Sequence, residues 1–209
     1  MKKQNFPFYL LLAIVATAVV FNSCENKENP RTTDAGVEIN GIVWATRNVD
    51  MPGTFAEKPE SFGMFYQQDR RRGWQSTGEL SSWNANIPQG IAWTRANDPC
   101  PRGWRIPTQA EIQTLGDTNS VTSEWTSVNG IYGRTFTEIN TGNTIFLPAV
   151  GWRTNRVGAL IDAGSLGAYW SRTLPNAFDS LMLPFPSGRL GAGLTYARAN
   201  GLSVRCVAE

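Results

Sequence analysis

The chain has no histidine in 209 residues. This excludes Ser-His-Asp and Cys-His nucleophilic catalysis, His-ligated zinc, copper or iron, and imidazole proton shuttles. No G-x-x-x-x-G-K-[ST] loop, G-x-G-x-x-G strand–helix unit or EF-hand loop is present either. Acidic residues are scattered singly, so a hydrolase working through two carboxylates has no signature, although folding could bring two acids together. The sequence therefore points to no enzyme, and it predicts no catalytic residue, no metal and no cofactor.

Lysine is nearly absent beyond the first residues: only Lys27 and Lys58 follow Lys2 and Lys3. Lys2 and Lys3 precede an uncharged run, Phe6 to Phe21, with Leu10-Leu11-Leu12-Ala13-Ile14-Val15 at its centre. A basic start, an apolar stretch and a break at Asn22-Ser23-Cys24 read as a secretory signal. The run is short for a membrane span. Val20-Phe21-Asn22-Ser23-Cys24 resembles a bacterial lipobox, which makes Cys24 the expected lipidation site and membrane anchor. Residues 1–23 are then a signal peptide and 24–36 a polar, Pro-containing tether, leaving 37–209 as one domain. Loss of the signal takes Lys+Arg from 19 to 17, equal to the 17 Asp+Glu, so the mature chain is near neutral. That balance gives no support for nucleic-acid binding. The acidic residues after Cys24 suggest an exported, outer-membrane-anchored lipoprotein facing outward from the cell.

Two cysteines remain, Cys100 and Cys206, 106 positions apart. Their position and the exported setting predict a disulfide pinning the chain end beside a mid-chain helix start. With Cys24 acylated, no thiol is left over. The abundant arginines are expected mainly to tie down long loops through planar hydrogen bonds.

Gly, Pro, Asn, Ser and Thr are frequent and eight Trp are spread through the chain, the profile of a loop-rich, strand-containing extracellular module. Asn40-Gly41 between two β-rich runs is a strong hairpin signal, and Phe62 to Tyr66 reads as a buried strand. Arg70-Arg71-Arg72-Gly73-Trp74 resembles a polyanion patch, but such a run is more often a solvated turn. Leu80 to Asp98 is expected to be ordered loop anchored by Trp83 and Trp93. Thr108-Gln109-Ala110-Glu111 is a capping box opening a short helix that Gly116 ends. Asn140-Thr141-Gly142 marks a second hairpin. Ala168 to Ser171 is strand-like, Leu181 to Pro186 is an edge or irregular strand because of its prolines, and Leu202 to Val207 closes the chain.

Several motifs resemble, in the right order from about Val37 to Val207, the Fibrobacter succinogenes major paralogous domain. They are G-I-V-W-A-T-R-N-V-D (Gly41 to Asp50), G-M-F-Y-Q (Gly63 to Gln67), N-D-P-C-P-R-G-W-R-I-P-T-Q-A-E (Asn97 to Glu111), F-L-P-A-V-G-W-R (Phe146 to Arg153), Y-W-S (Tyr169 to Ser171) and S-V-R-C-V (Ser203 to Val207). The W-R-I-P-T-x-x-E and V-R-C-V elements also look like the formylglycine-generating-enzyme branch of C-type lectin-like folds. The resemblance implies an α+β C-type lectin-like fold. Such a fold has small twisted antiparallel sheets, one or two short helices, long ordered loops, and paired N- and C-terminal strands. The catalytic chemistries of such relatives do not carry over, since they need a copper-binding cysteine pair or histidine-bound iron. Calcium-dependent sugar binding lacks its acid at Leu174-Pro175-Asn176.

The resemblance places a ligand face in the irregular segment before the closing strand, Arg172 to Asn200, a region hypervariable in related retroelement-diversified receptors. Candidate ligand-binding residues are Arg172, Asn176, Phe178, Asp179, Arg189, Tyr196 and Arg198, joined by Trp152 and Arg153. The leading expectation is a non-catalytic surface module binding a carbohydrate or a surface protein. The alternative is a structural or tip subunit of a surface appendage that self-associates or accepts a strand at Leu183 to Pro186. A glycan hydrolase is the third reading.

Overall fold

Asn40 and Gly41 both adopt positive φ, 50° and 77°, the two-residue turn that joins twisted strands without splaying them. The computed structural model describes residues 1, 30–90, 92–191 and 194–209. The expected signal peptide and Cys24 lie outside the described residues. The turn links β1 (Val37–Ile39) to β2 (Ile42–Trp44), with Ile39 opposite Ile42. Next come β3 (Phe65–Gln67) and β4 (Gly73–Trp74), then a loop closed by one 3-10 turn at Arg95–Asn97. After β5 (Trp104–Arg105), α1 (Gln109–Thr114) is capped at Thr108, whose hydroxyl accepts from the Glu111 amide while Glu111 accepts from the Thr108 amide. β6 (Val121–Val128), β7 (Ile131–Glu138) and β8 (Thr144–Pro148) form a meander. β9 (Trp152–Arg153), β10 (Leu160–Ile161), β11 (Leu166–Trp170), β12 (Asp179–Pro186), β13 (Leu194–Ala197), β14 (Gly201–Leu202) and β15 (Val207–Ala208) complete the chain.

The expectation of an α+β, C-type lectin-like fold is not met. Among the described residues fifteen strands fall into four antiparallel sheets, and helix is limited to α1 and the 3-10 turn. The reason is local. α1 offers only Ile112 and the following Leu115 to a core before Gly116 ends it, too little apolar face for a longer helix. The next segment, Val-Thr-Ser-Glu-Trp-Thr-Ser-Val, carries four β-branched residues and a tryptophan and forms an eight-residue strand. The first hairpin and the last strand do meet: β15 inserts between β2 and β5, with Val207 opposite both Trp44 and Arg105.

Two apolar clusters share β11 and β12 as a wall. Trp170 and Met182 face one cluster with Trp93, Ile106 and Val204, whereas Tyr169, Leu183 and Phe185 face the other with Phe136, Leu147 and Trp44. Alternating strand side chains serve both faces, so these strands read as continuous apolar runs. Gly167 lies opposite Phe185, whose ring sits where any β-carbon would be. The Cys100–Cys206 disulfide lies within the first cluster, with Cα atoms 6.1 Å apart.

Pro184 and Pro186 pair with β11 only, because β13 covers just Asp179–Met182. That half-strand is therefore an edge in pairing, as its prolines require, but Leu183 and Phe185 are buried and the Gly191 amide donates to the Pro184 carbonyl. The expected strand-accepting edge at Leu183 to Pro186 is closed. Arg31 to Gly36, expected as tether, lie on the domain: Asp34 accepts from the amides of Gly36 and Thr46 and from the Arg47 guanidinium, and Arg31 pairs with Asp50 at 2.6 Å.

Candidate functional site

Buried arginines build the frame. Arg205 lies in the closing segment, 1 % exposed, and donates to Asn48 Oδ1 and to the carbonyls of Ala45 and Phe146 at 3.0–3.1 Å. Arg153, fully buried, donates to the carbonyls of Gln75, Thr77, Gly78 and Gly158 at 2.6–3.0 Å. Burial pushes both guanidinium pKa values down, through desolvation. Arg153, read from the sequence as a ligand contact, is thus a clamp on two loops, and its donors are occupied. Asp98 plays the matching acidic role, its carboxylate accepting from the amides of Cys100 and Ile106; burial raises its pKa.

A different arrangement surrounds the β3–β4 turn. Asp69 adopts φ 51° and its carboxylate accepts from the Thr94 amide and hydroxyl, which fixes the turn against the 84–97 loop. The turn then presents Arg70, Arg71 and Arg72. Arg70 donates to the Asn86 carbonyl at 2.8 Å and Arg71 to the Asp98 carbonyl at 2.8 Å. Arg72 is exposed, its guanidinium carbon 4.1 Å from the centre of the Trp74 ring. Trp74 is held by Trp83 at 4.8 Å, and Trp83 is fixed in turn by its indole N–H on the Asn155 carbonyl. Among the described residues none of these three guanidiniums has a carboxylate partner.

From this turn a shallow furrow runs across the surface as three adjoining depressions of about 350, 430 and 420 Å³. The first two share Asp69, Arg70 and Asn97; the last two share Ile87, Pro88 and Gln89. Phe178 and Arg198 close the far end. Phe178 is 65 % exposed, held out by a turn in which Asn176 Oδ1 accepts from the amides of Phe178 and Asp179. Arg198 is 1 % exposed and donates to Gln68 Oε1 and to the Gly90 and Ala177 carbonyls, while its Nη2 has no partner.

Of the nine residues expected at a ligand face, Phe178 and Arg198 line the furrow, and Asn176 and Asp179 shape its rim. Trp152 and Tyr196 form a separate edge-on pair at 5.0 Å, with the Trp152 indole donating to Asp162. Arg172 is half-buried, its amide on the Pro107 carbonyl, and its charge favours ionised Asp98. Arg189 is exposed in the turn after β12. Sequence reasoning set aside Arg70 to Arg72 as a solvated turn. The signal that could have kept them was the tryptophan two residues beyond Arg72, a ready stacking partner. The 86–90 segment carried no signal at all.

A larger cavity of about 660 Å³ lies beside α1, walled by Ile112, Leu115, Val121, Leu183 and Leu190 with no charged side chain. Among the described residues no three Cys, Asp or Glu side chains gather as a metal site, and no helix is long and apolar enough to cross a membrane. No protein-family model, curated protein or solved structure matches the chain.

Proposed function

We propose that this chain is a non-catalytic binding module of an exported, lipid-anchored surface protein, which recognises a glycan or a cell-surface protein through the furrow between Arg72 and Phe178. The observation that carries this reading is the combination along one open face of uncompensated guanidiniums, planar amides and an exposed phenyl ring. Groups of this kind bind by hydrogen bonding and stacking. The acids nearby serve as turn and loop anchors, as Asp69 and Asp98 do, which fits a face that binds and performs no chemistry. Lipidation at Cys24 and membership of the Fibrobacter succinogenes major paralogous domain belong to the same proposal and rest on the sequence motifs alone.

The test is a glycan and surface-protein array probed with the purified protein, with and without calcium. Binding that is independent of calcium and reduced by Phe178→Ala is expected; no binder on either array contradicts the reading.

A second reading, as a structural subunit, is favoured by one feature. β6 lies at the edge of its sheet. The Asn129-Gly130 turn makes Val128–Ile131 a hydrogen-bonded pair, so the N–H and C=O groups of Ser123, Trp125 and Ser127 point away from β7. Such an edge can accept a strand. Size-exclusion chromatography separates the two: a stable monomer supports the binding module, and concentration-dependent association supports the subunit.

A further inference from the structure

We infer that the furrow takes an acidic polysaccharide, one bearing carboxylate or sulfate groups; this rests on the reading of the face as a binding surface and names its ligand class. The charge asymmetry carries it. The mature chain is near neutral by sequence, yet Arg70, Arg71, Arg72 and Arg198 line one furrow against a single carboxylate, Asp69. Asp69 accepts from Thr94 and Asn97, neutral groups that hold it in place and keep its charge, so one carboxylate stands against four guanidiniums. Arg70, Arg71 and Arg72 donate to carbonyl, amide or hydroxyl oxygens, so each hydrogen bond orients the guanidinium without bringing it a carboxylate. Partial burial of Arg70 depresses its pKa by desolvation, which an arriving anion relieves. Arg198 lies beneath the far end, 1 % exposed, and adds positive charge there without a donor at the surface.

The shape selects among anions. The furrow is shallow and extended, which suits a chain more than a small ion. Asn84, Asn86, Gln89 and Asn97 offer neutral donors and acceptors for hydroxyls between the charges. Phe178 offers one apolar face at the far end, whereas a single-stranded nucleic acid calls for a series of stacking platforms. Arg72, stacked on Trp74, is held as a fork for a planar carboxylate or a sulfate.

The test measures binding of the purified full-length protein to polygalacturonate and dextran sulfate as carboxylate and sulfate probes, with dextran as the neutral control and duplex DNA as an unrelated polyanion. At least one acidic polymer should bind, with dextran and DNA at least about tenfold weaker, and its affinity should fall about tenfold or more between roughly 50 and 500 mM NaCl. Which acidic probe binds distinguishes carboxylate from sulfate recognition. Arg72→Gln should weaken binding about fivefold and Arg71→Gln/Arg72→Gln about twentyfold or more, the effect of lost charge-assisted hydrogen bonds. Unchanged affinity in the double variant overturns the inference, as does equal binding of DNA. Neutral dextran binding lost in Phe178→Ala but kept in the double variant overturns it while leaving the glycan-binding reading intact. No polymer binding, alongside a hit on the surface-protein array, overturns it in favour of a protein ligand.

Discussion

Arg205 and Arg72 carry the same side chain in opposite settings. Arg205 is enclosed, and its three acceptors lie in two segments far apart in sequence, Ala45 with Asn48 in one and Phe146 in the other. Arg72 is exposed over a tryptophan ring, with one long contact to Ser82 at 3.5 Å. The first kind fastens loops that the described residues, with little helix among them, cannot otherwise order, and the second leaves charge facing solvent. The frame and the furrow thus differ in whether each guanidinium is fully used within the protein. This division predicts that stability and binding respond to different residues.

The largest effect belongs to the frame's covalent tie. Cys100→Ser/Cys206→Ser should lower unfolding free energy by about 4–5 kcal/mol, the entropy of closing a loop of this length. Urea denaturation measures this, and a loss below about 1 kcal/mol would break the assignment of the bridge to the frame. Arg205→Met should follow, at roughly 3 kcal/mol or more, because three buried acceptors lose their donor. Glu111→Gln comes next, at about 1–2 kcal/mol, from the charge lost to the Arg105 pair and to the first helical turn, since glutamine can still close the capping box. Glu111 is held by the Arg105 guanidinium at a pKa of about 2, below its usual 4.5. Its folded pKa lies below the unfolded one, so its contribution is complete above about pH 4.5 and is lost as pH falls towards 2. Thermal melts across that window should show a shallower acid-side decline in the variant than in the parent. Arg72→Gln should be the smallest, within about 0.5 kcal/mol. A large stability loss there would erase the contrast with Arg205.

Local signals in the chain were legible in proportion to how local they are. Asn40-Gly41 and the Thr108 to Glu111 box act over four residues, and both form the elements they encode. The Cys100–Cys206 tie was readable from the cysteines' position and the expected export, and the loop-fastening arginines from residue type. The overall class was not, because β6 depends on cross-strand pairing with β7 that no window of sequence displays. At the ligand face, Arg153 and Arg198 looked alike in sequence. Both are buried, and their partners separate them: Arg153 finds four carbonyls, whereas Arg198 keeps one nitrogen unpaired beneath the furrow's end. Which acceptors a buried arginine finds is decided by how distant loops pack.

Hydrogen–deuterium exchange of the full-length protein with and without bound polygalacturonate or dextran sulfate tests the division most directly. The account predicts protection confined to 69–74, 84–90 and 176–178, with the strands of the frame unchanged. Protection centred on α1 and β6, around the apolar cavity, would contradict it.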